Sequence, residues 1–350
     1  MQFSLKRRLL SVLENMPVDR PPVICPGGMM NSAIVDIMKS SGVTFPEAHH
    51  DSELIAKLAW EVHRQTGFEN FGIPFCMTVE AEVFGSTINY GSLTCEPKIA
   101  KEIFPDLASV EFQPVEELLR NGRILTVAKA AKRLAQDYPD VPVVATLTGP
   151  ISLAASIVDP MKFLASLRKK PEQTHKLLDY VTRFLIGFSD LLTQHGVTVI
   201  AIADPTATGE ILGPAMFKEY AVRYLKQVVV GVHKAGVPAI VHICGNVSPV
   251  KSLLPEIGAD AISLDAIINL SKLKAEFPTL ITMGNVSTYL LEFGPTDKIR
   301  EATMRLVKEG VDIIAPACGL STTSSVENIK AMTAVVADTD VISKGGENYV

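Results

Sequence analysis

The chain has 350 residues, a formal net charge of −5, 47% apolar and 20% charged residues, and a mean hydropathy of +0.24. This is a core-rich composition whose net negative charge excludes a general attraction to nucleic acid or to an anionic membrane surface. No run reaches ~18 uninterrupted apolar residues, so no transmembrane helix is expected, and the charged start MQFSLKRRLLSVLENMPVDRPP lacks the apolar core of a signal peptide.

In chain order, residues 1–20 read as a helix laid against the rest. PPVICPG (21–27), NFGIPF (70–75) and PVVATLTG (142–149) are strand candidates. Between the last two, 77–123 breaks the pattern. Its TVEAEVFGSTINYGSLTCEP reads as extended segments with turns, fitting a hairpin inserted after the second strand. The second half is more regular. VTVIAIADP (197–205), PAIVHICG (238–245), AISLD (261–265), LITMGNV (280–286) and DIIAPACG (312–319) alternate with helix-length segments near 214–235, 249–256, 269–277, 296–309 and 325–338. Near-continuous apolar strands alternating with helices describe βαβ units and a parallel sheet buried on both faces. Eight such units predict an α/β fold of the TIM (β/α)8 type, one barrel over 1–343 with a frayed tail at 344–350. The competing architecture is an open doubly wound sheet, but no GxGxxG follows the first strand.

Chemistry concentrates at the predicted strand ends. Side chains alternate along a strand, so His242 and Cys244 point the same way and Ile243 the other. Both stand at the C-terminal end of their strand, where barrel active sites are built. Cys318 ends the eighth strand on the same rim. One imidazole and two thiolates match Zn²⁺ with a fourth position left open, the pattern of catalytic zinc. Buried Cys and His are also ordinary core residues, and spacing alone leaves the two readings balanced. Asp265, ending the sixth strand, is a fourth candidate ligand or else a helix cap. Asp204, ending the fourth, would orient a ligand or cap the helix that follows.

Gly-Asn-Val-Ser occurs twice, at 245–248 and 284–287. Either Asn246 and Asn285 share a ligand-facing role, or the repeat is a recurrent turn with a serine cap. Cys25, Cys76 and Cys95 have no metal-like partner near in sequence, though Cys25 and Cys76 also end predicted strands. His49 and His50 stand beside Asp51 and Ser52 at a helix start, which favours capping. An odd count of five cysteines without a secretory signal points to reduced thiols and a cytoplasmic setting.

AIADP, VHICGNVSP, MGNVS and APACG, with DRPPV, PEAHHDSELIAKLAWE, TGFENFGIPFCMTVEAEVFG and TGP, resemble the uroporphyrinogen decarboxylase superfamily over nearly the whole chain. Within it they are similar to the cobalamin-dependent branch, the methylcobamide:coenzyme M methyltransferases. The resemblance implies zinc on His242, Cys244 and Cys318, with Asp265 at an acidic position where relatives can carry Glu. It implies a methyl group moved from methylcobalamin, held on a separate corrinoid protein, to a small thiol, coenzyme M first among the candidates. Zinc would keep that thiol deprotonated and nucleophilic, and Asp204, Asn246 and Asn285 would serve the reaction. The alternatives are homocysteine or a folate as acceptor, a non-catalytic zinc or corrinoid binder, or a decarboxylase-like lyase. The lyase reading suffers because decarboxylases bind a polycarboxylate through arginines near the first strand, and no arginine lies between Arg20 and Arg64.

Overall fold

The computed structural model describes residues 3–345, with side chains through 339. Its strands are β1 (Phe71–Ile73), β2 (Thr87–Asn89), β3 (Lys98–Lys101), β4 (Val143–Thr148), β5 (Val199–Ala203), β6 (Ala239–Ile243), β7 (Ala261–Leu264), β8 (Thr282–Val286) and β9 (Ile313–Pro316). Seven of them pair in parallel in the order β1-β4-β5-β6-β7-β8-β9. That order follows the chain and never reverses, which rules out the doubly wound alternative. Every residue of β4, β5 and β6 is buried, as expected where helices cover one face of a curled sheet and side chains fill the other.

The strand predicted at 21–27 is reduced to one bridge, Val23 to Ile314. Ile24 N donates to Ile314 O at 3.0 Å and Ile314 N to Pro22 O at 2.9 Å. Pro21, Pro22 and Pro26 carry no N–H, so the ladder cannot extend. On the other side the Asn70 amide stands in for a strand. Its Oδ1 accepts from Cys25 N at 2.8 Å and its Nδ2 donates to Cys25 O at 2.9 Å. Residues 22–25 thus fill the eighth place in the ring, between β9 and β1.

The N-terminal helix runs Leu5–Leu13, shorter than the 1–20 expected, and is capped by Ser4. Its buried Arg8 pairs with Asp19 at 2.7 Å and Glu69 at 3.3 Å. The 77–123 segment begins with a helix, Val79–Phe84, rather than an extended run. Glu80 in its first turn accepts from Thr148 N at 2.7 Å and so is tied to the end of β4. The hairpin is present, as antiparallel β2 and β3. Its turn needs Gly91, at φ +74°, where a Cβ would lie 1.9 Å from Cys95 O. Thr322 Oγ1 donates to Thr94 O at 2.9 Å, fastening the hairpin tip to the loop after β9. An insertion is thereby held over the C-terminal end of the barrel. At the other end of the chain, Lys344 and Gly345 continue the helix Val326–Gly345, and the rest of the expected tail lies outside the described residues. No described helix is long and apolar enough to cross a membrane.

Candidate metal centre

β6 delivers His242 and the residue just past its end, Cys244; the loop after β9 delivers Cys318. Nitrogen and sulfur atoms of the three lie within 4.8 Å of one another. His242 Nε2 is 3.1 Å from Cys244 Sγ, and the two sulfurs are 2.9 Å apart. The imidazole is buried, 2% exposed, and its Nδ1 lies 2.9 Å from Ser263 Oγ. Ser263 is the register partner of His242 across the β6–β7 ladder. Fixing Nδ1 leaves Nε2 turned toward the sulfurs, the arrangement by which an outer-shell partner orients a ligating histidine. One nitrogen and two sulfurs at this separation suit zinc, and three protein donors leave one position free.

The Cys318 thiol is held well below the usual thiol range, first by the hydrogen bond from the Cys244 thiol and then by His242. Cys244 is pushed far up, chiefly by that same bond to Cys318, then by burial and by the Cys318 and Asp265 charges. One thiolate is thus easily made and the second is resisted, which is the situation a bound cation relieves. Cys318 also lines a cavity of about 610 Å³ whose wall includes Met29, Glu96, Tyr289 and Glu292.

The other rim candidates divide. Asp265 stays outside the group of three. Its carboxylate accepts from Gly245 N at 3.4 Å and Ile267 N at 3.2 Å, shaping two loops. Asn285 Nδ2 donates to Asp265 O and Ile268 O, both at 2.8 Å, and pins the loop after β7. Asn246 Oδ1 accepts from Ser248 N, at 3.0 Å, within its own turn, its one partner among the described residues. The two Gly-Asn-Val-Ser copies therefore differ, as do their glycines, at φ +71° for Gly245 and +132° for Gly284. The serine cap exists in the second copy alone, where Ser287 accepts from Leu290 N.

Asp204 is fully buried and accepts from Ile151 N at 3.1 Å, Ser152 N at 2.8 Å and Ser152 Oγ at 2.6 Å. It caps the helix Pro150–Ile157, which follows β4, and not the helix after its own strand. A Cβ on Gly149 would lie 2.4 Å from Asp204 Cβ, so that close approach requires glycine. Burial raises its pKa to about 6 against the pull of these donors. Both of its oxygens accept from the frame, Oδ1 from Ser152 N and Oγ and Oδ2 from Ile151 N.

The uroporphyrinogen decarboxylase (URO-D) family pattern matches residues 4–339. The chain belongs to the uroporphyrinogen decarboxylase family. Within it, the chain is 32% identical over 340 residues to the methylcobamide:CoM methyltransferase MtaA of Methanosarcina barkeri, covering 95% of this chain and 97% of that one. It is 31% identical over 333 residues to the methylcobamide:CoM methyltransferase MtbA of Methanosarcina acetivorans, with the same coverages. Its structure matches a methyltransferase from Methanosarcina mazei with TM-score 0.90 at 33% identity, covering 97% of this chain and 99% of that one. At this similarity the TIM-type architecture of this family member is secure.

Three residues around the centre of this decarboxylase-family barrel escape sequence reading. Ser263 had a signal: alternation along AISLD puts it on the same face as Asp265. Met29, whose Sδ is 3.8 Å from Cys244 Sγ, and Glu96 come from loops, where no periodicity points. The remaining thiols lie elsewhere. Cys25 is buried with its pKa driven to about 12, and donates to Met30 O at 2.8 Å. Cys76 is 3.3 Å from both Thr78 Oγ1 and the Arg123 guanidinium. Cys95 sits half-buried in the hairpin turn. Asp51, not a histidine, caps the helix Ser52–Thr66. His49 instead stacks on Phe45 at 4.1 Å, and His50 meets Tyr90 edge-on at 4.4 Å.

Proposed function

We propose that this protein is a zinc-dependent methyltransferase that moves a methyl group from a methylated corrinoid, carried by a partner protein, to a thiol, coenzyme M being the first acceptor to test. The observation that carries this is the convergence of His242, Cys244 and Cys318 beside an open cavity. Support comes from relatives named for methylcobamide:CoM methyl transfer that match along almost the whole chain.

His242, Cys244 and Cys318 would hold the zinc. When bound, zinc supplies charge that keeps an added thiol deprotonated, and the thiolate is the nucleophile. The protein's own part is arrangement. Ser263 holds the imidazole tautomer, with Nδ1–H donating to Ser263 Oγ. Asp265 and Asn285 keep the loops after β6 and β7 in place. Asp204 ties β5 to the helix after β4 and keeps the rim rigid. The cavity beside Cys318 brings the acceptor's sulfur alongside the cluster and leaves an approach for the donor, whose cobalt–carbon chemistry is the corrinoid's.

The lyase alternative finds no support at this rim. Arg20 pairs with Glu69 before the first strand, and Arg64 lies on a helix paired with Glu61. The test is methylation of coenzyme M, homocysteine and tetrahydrofolate by free methylcobalamin with zinc present. Transfer to coenzyme M is expected; absence of transfer to every acceptor refutes the reading.

A further inference from the structure

We propose that Glu96, carried to the barrel mouth by the β2–β3 hairpin, is the catalytic residue that takes the proton from the incoming thiol. The inference rests on the methyltransferase reading above.

An acceptor arrives largely as a protonated thiol at neutral pH, and the thiolate must form before it attacks. The released proton needs a base inside the cavity. Two carboxylates line the same cavity as Cys318, Glu96 and Glu292. Glu292 is held through one oxygen by Thr323 Oγ1 at 2.7 Å. Glu96 is also held through one oxygen, but it is the carboxylate on which burial and the Cys318 charge act. Asn31 Nδ2 donates to its Oε1 at 2.8 Å and fixes the carboxylate, while Oε2 has no hydrogen-bond partner among the described residues.

The groups acting on Glu96 come from three segments: Asn31 and His49 from the first βα connection, Lys98 from β3 and Cys318 from the loop after β9. Burial is the largest influence and raises the Glu96 pKa; the Asn31 hydrogen bond and Lys98 oppose it and the Cys318 charge adds to it. His49 itself is neutral, since burial and Arg123 push it down to about 3. A carboxylate made more basic by its surroundings is a better proton acceptor near neutral pH. The hairpin has a structural reason to be rigid, because Thr322 holds its tip and Gly91 permits its turn.

In the step, the S–H bond breaks, its electron pair stays on sulfur, and the proton adds to Glu96 Oε2. The sulfur pair then forms the S–CH₃ bond as the Co–C bond breaks with its electrons retained by the corrinoid, and Glu96 returns its proton to water through the cavity mouth.

The experiment compares wild type and Glu96→Gln in methyl transfer from free methylcobalamin to coenzyme M and homocysteine, across neutral to alkaline pH, with bound zinc measured in both. The expected result is equal zinc and a kcat/KM for thiol about 100-fold lower in the variant near neutrality. That gap should close as pH rises and the thiol ionises unaided, a change a merely structural role would not produce. A variant as active as wild type at neutral pH, a deficit equal at every pH, or loss of zinc would each overturn the assignment. Wild type inert toward all thiols would instead refute the methyltransferase reading.

Discussion

Replacing Ser263 with alanine should weaken zinc binding without disturbing the barrel. Ser263 is fully buried and its Oγ lies 2.9 Å from His242 Nδ1. Its hydroxyl proton is free to point at Met30 Sδ, 3.9 Å away, so Oγ can accept from Nδ1–H. The alanine variant removes that acceptor, and an imidazole only 2% exposed cannot recruit bulk water instead. An unpaired buried donor costs about 1–3 kcal/mol. At about 1.4 kcal/mol per tenfold, zinc affinity should fall by about 5- to 150-fold, in the range of outer-shell substitutions around metal-bound histidines. The assay is competition for zinc against a chromophoric chelator at fixed pH, with unfolding followed in parallel. An affinity within about twofold of wild type would refute the claim that Ser263 sets the ring for ligation.

Asp204→Ala should destabilise the fold by about 2–5 kcal/mol in urea unfolding, because three buried donors lose their acceptor. Wild-type stability should also carry a pH signature from this group. The folded carboxyl keeps its proton to about pH 6, above its unfolded value near ~3.9, so its contribution is full below the unfolded value and is lost as pH rises through the folded one. Unfolding in urea across that window should show the slope in wild type and its loss in Asp204→Ala. Asn285→Ala should cost about 1–3 kcal/mol by leaving two partly buried carbonyls without their shared donor, while Asn246→Ala should cost about 1 kcal/mol or less, the scale of a single local cap; equal losses on unfolding would restore the symmetric reading of the repeat. Asp265→Asn should keep zinc in stoichiometric amount by elemental analysis, and loss of zinc would make Asp265 a ligand.

Much of this molecule was legible because parallel strands buried on both faces leave continuous apolar runs, and because His242, Cys244 and Cys318 sit at the ends of such runs. The sequence misleads where backbone donors decide. PPVICPG has a strand's side chains but too few N–H groups to build a ladder, and Asn70, which replaces it, looks unremarkable in isolation. The repeat misleads differently: identical tetrapeptides sit on different backbones and make different bonds. Asp204 was correctly placed on the rim, yet a strand-end carboxylate can turn toward the neighbouring unit's helix as easily as toward the cavity. Glu96 was hidden because its position depends on a hairpin anchored by Thr322, more than 200 residues away in sequence.

The most direct test of the account is bound zinc and methyl transfer measured together on wild type and Cys318→Ala. Wild type should hold one zinc per chain and methylate a thiol from methylcobalamin, and the variant should lose both. Protein stripped of zinc by a chelator that still transfers methyl groups at the full rate would contradict it.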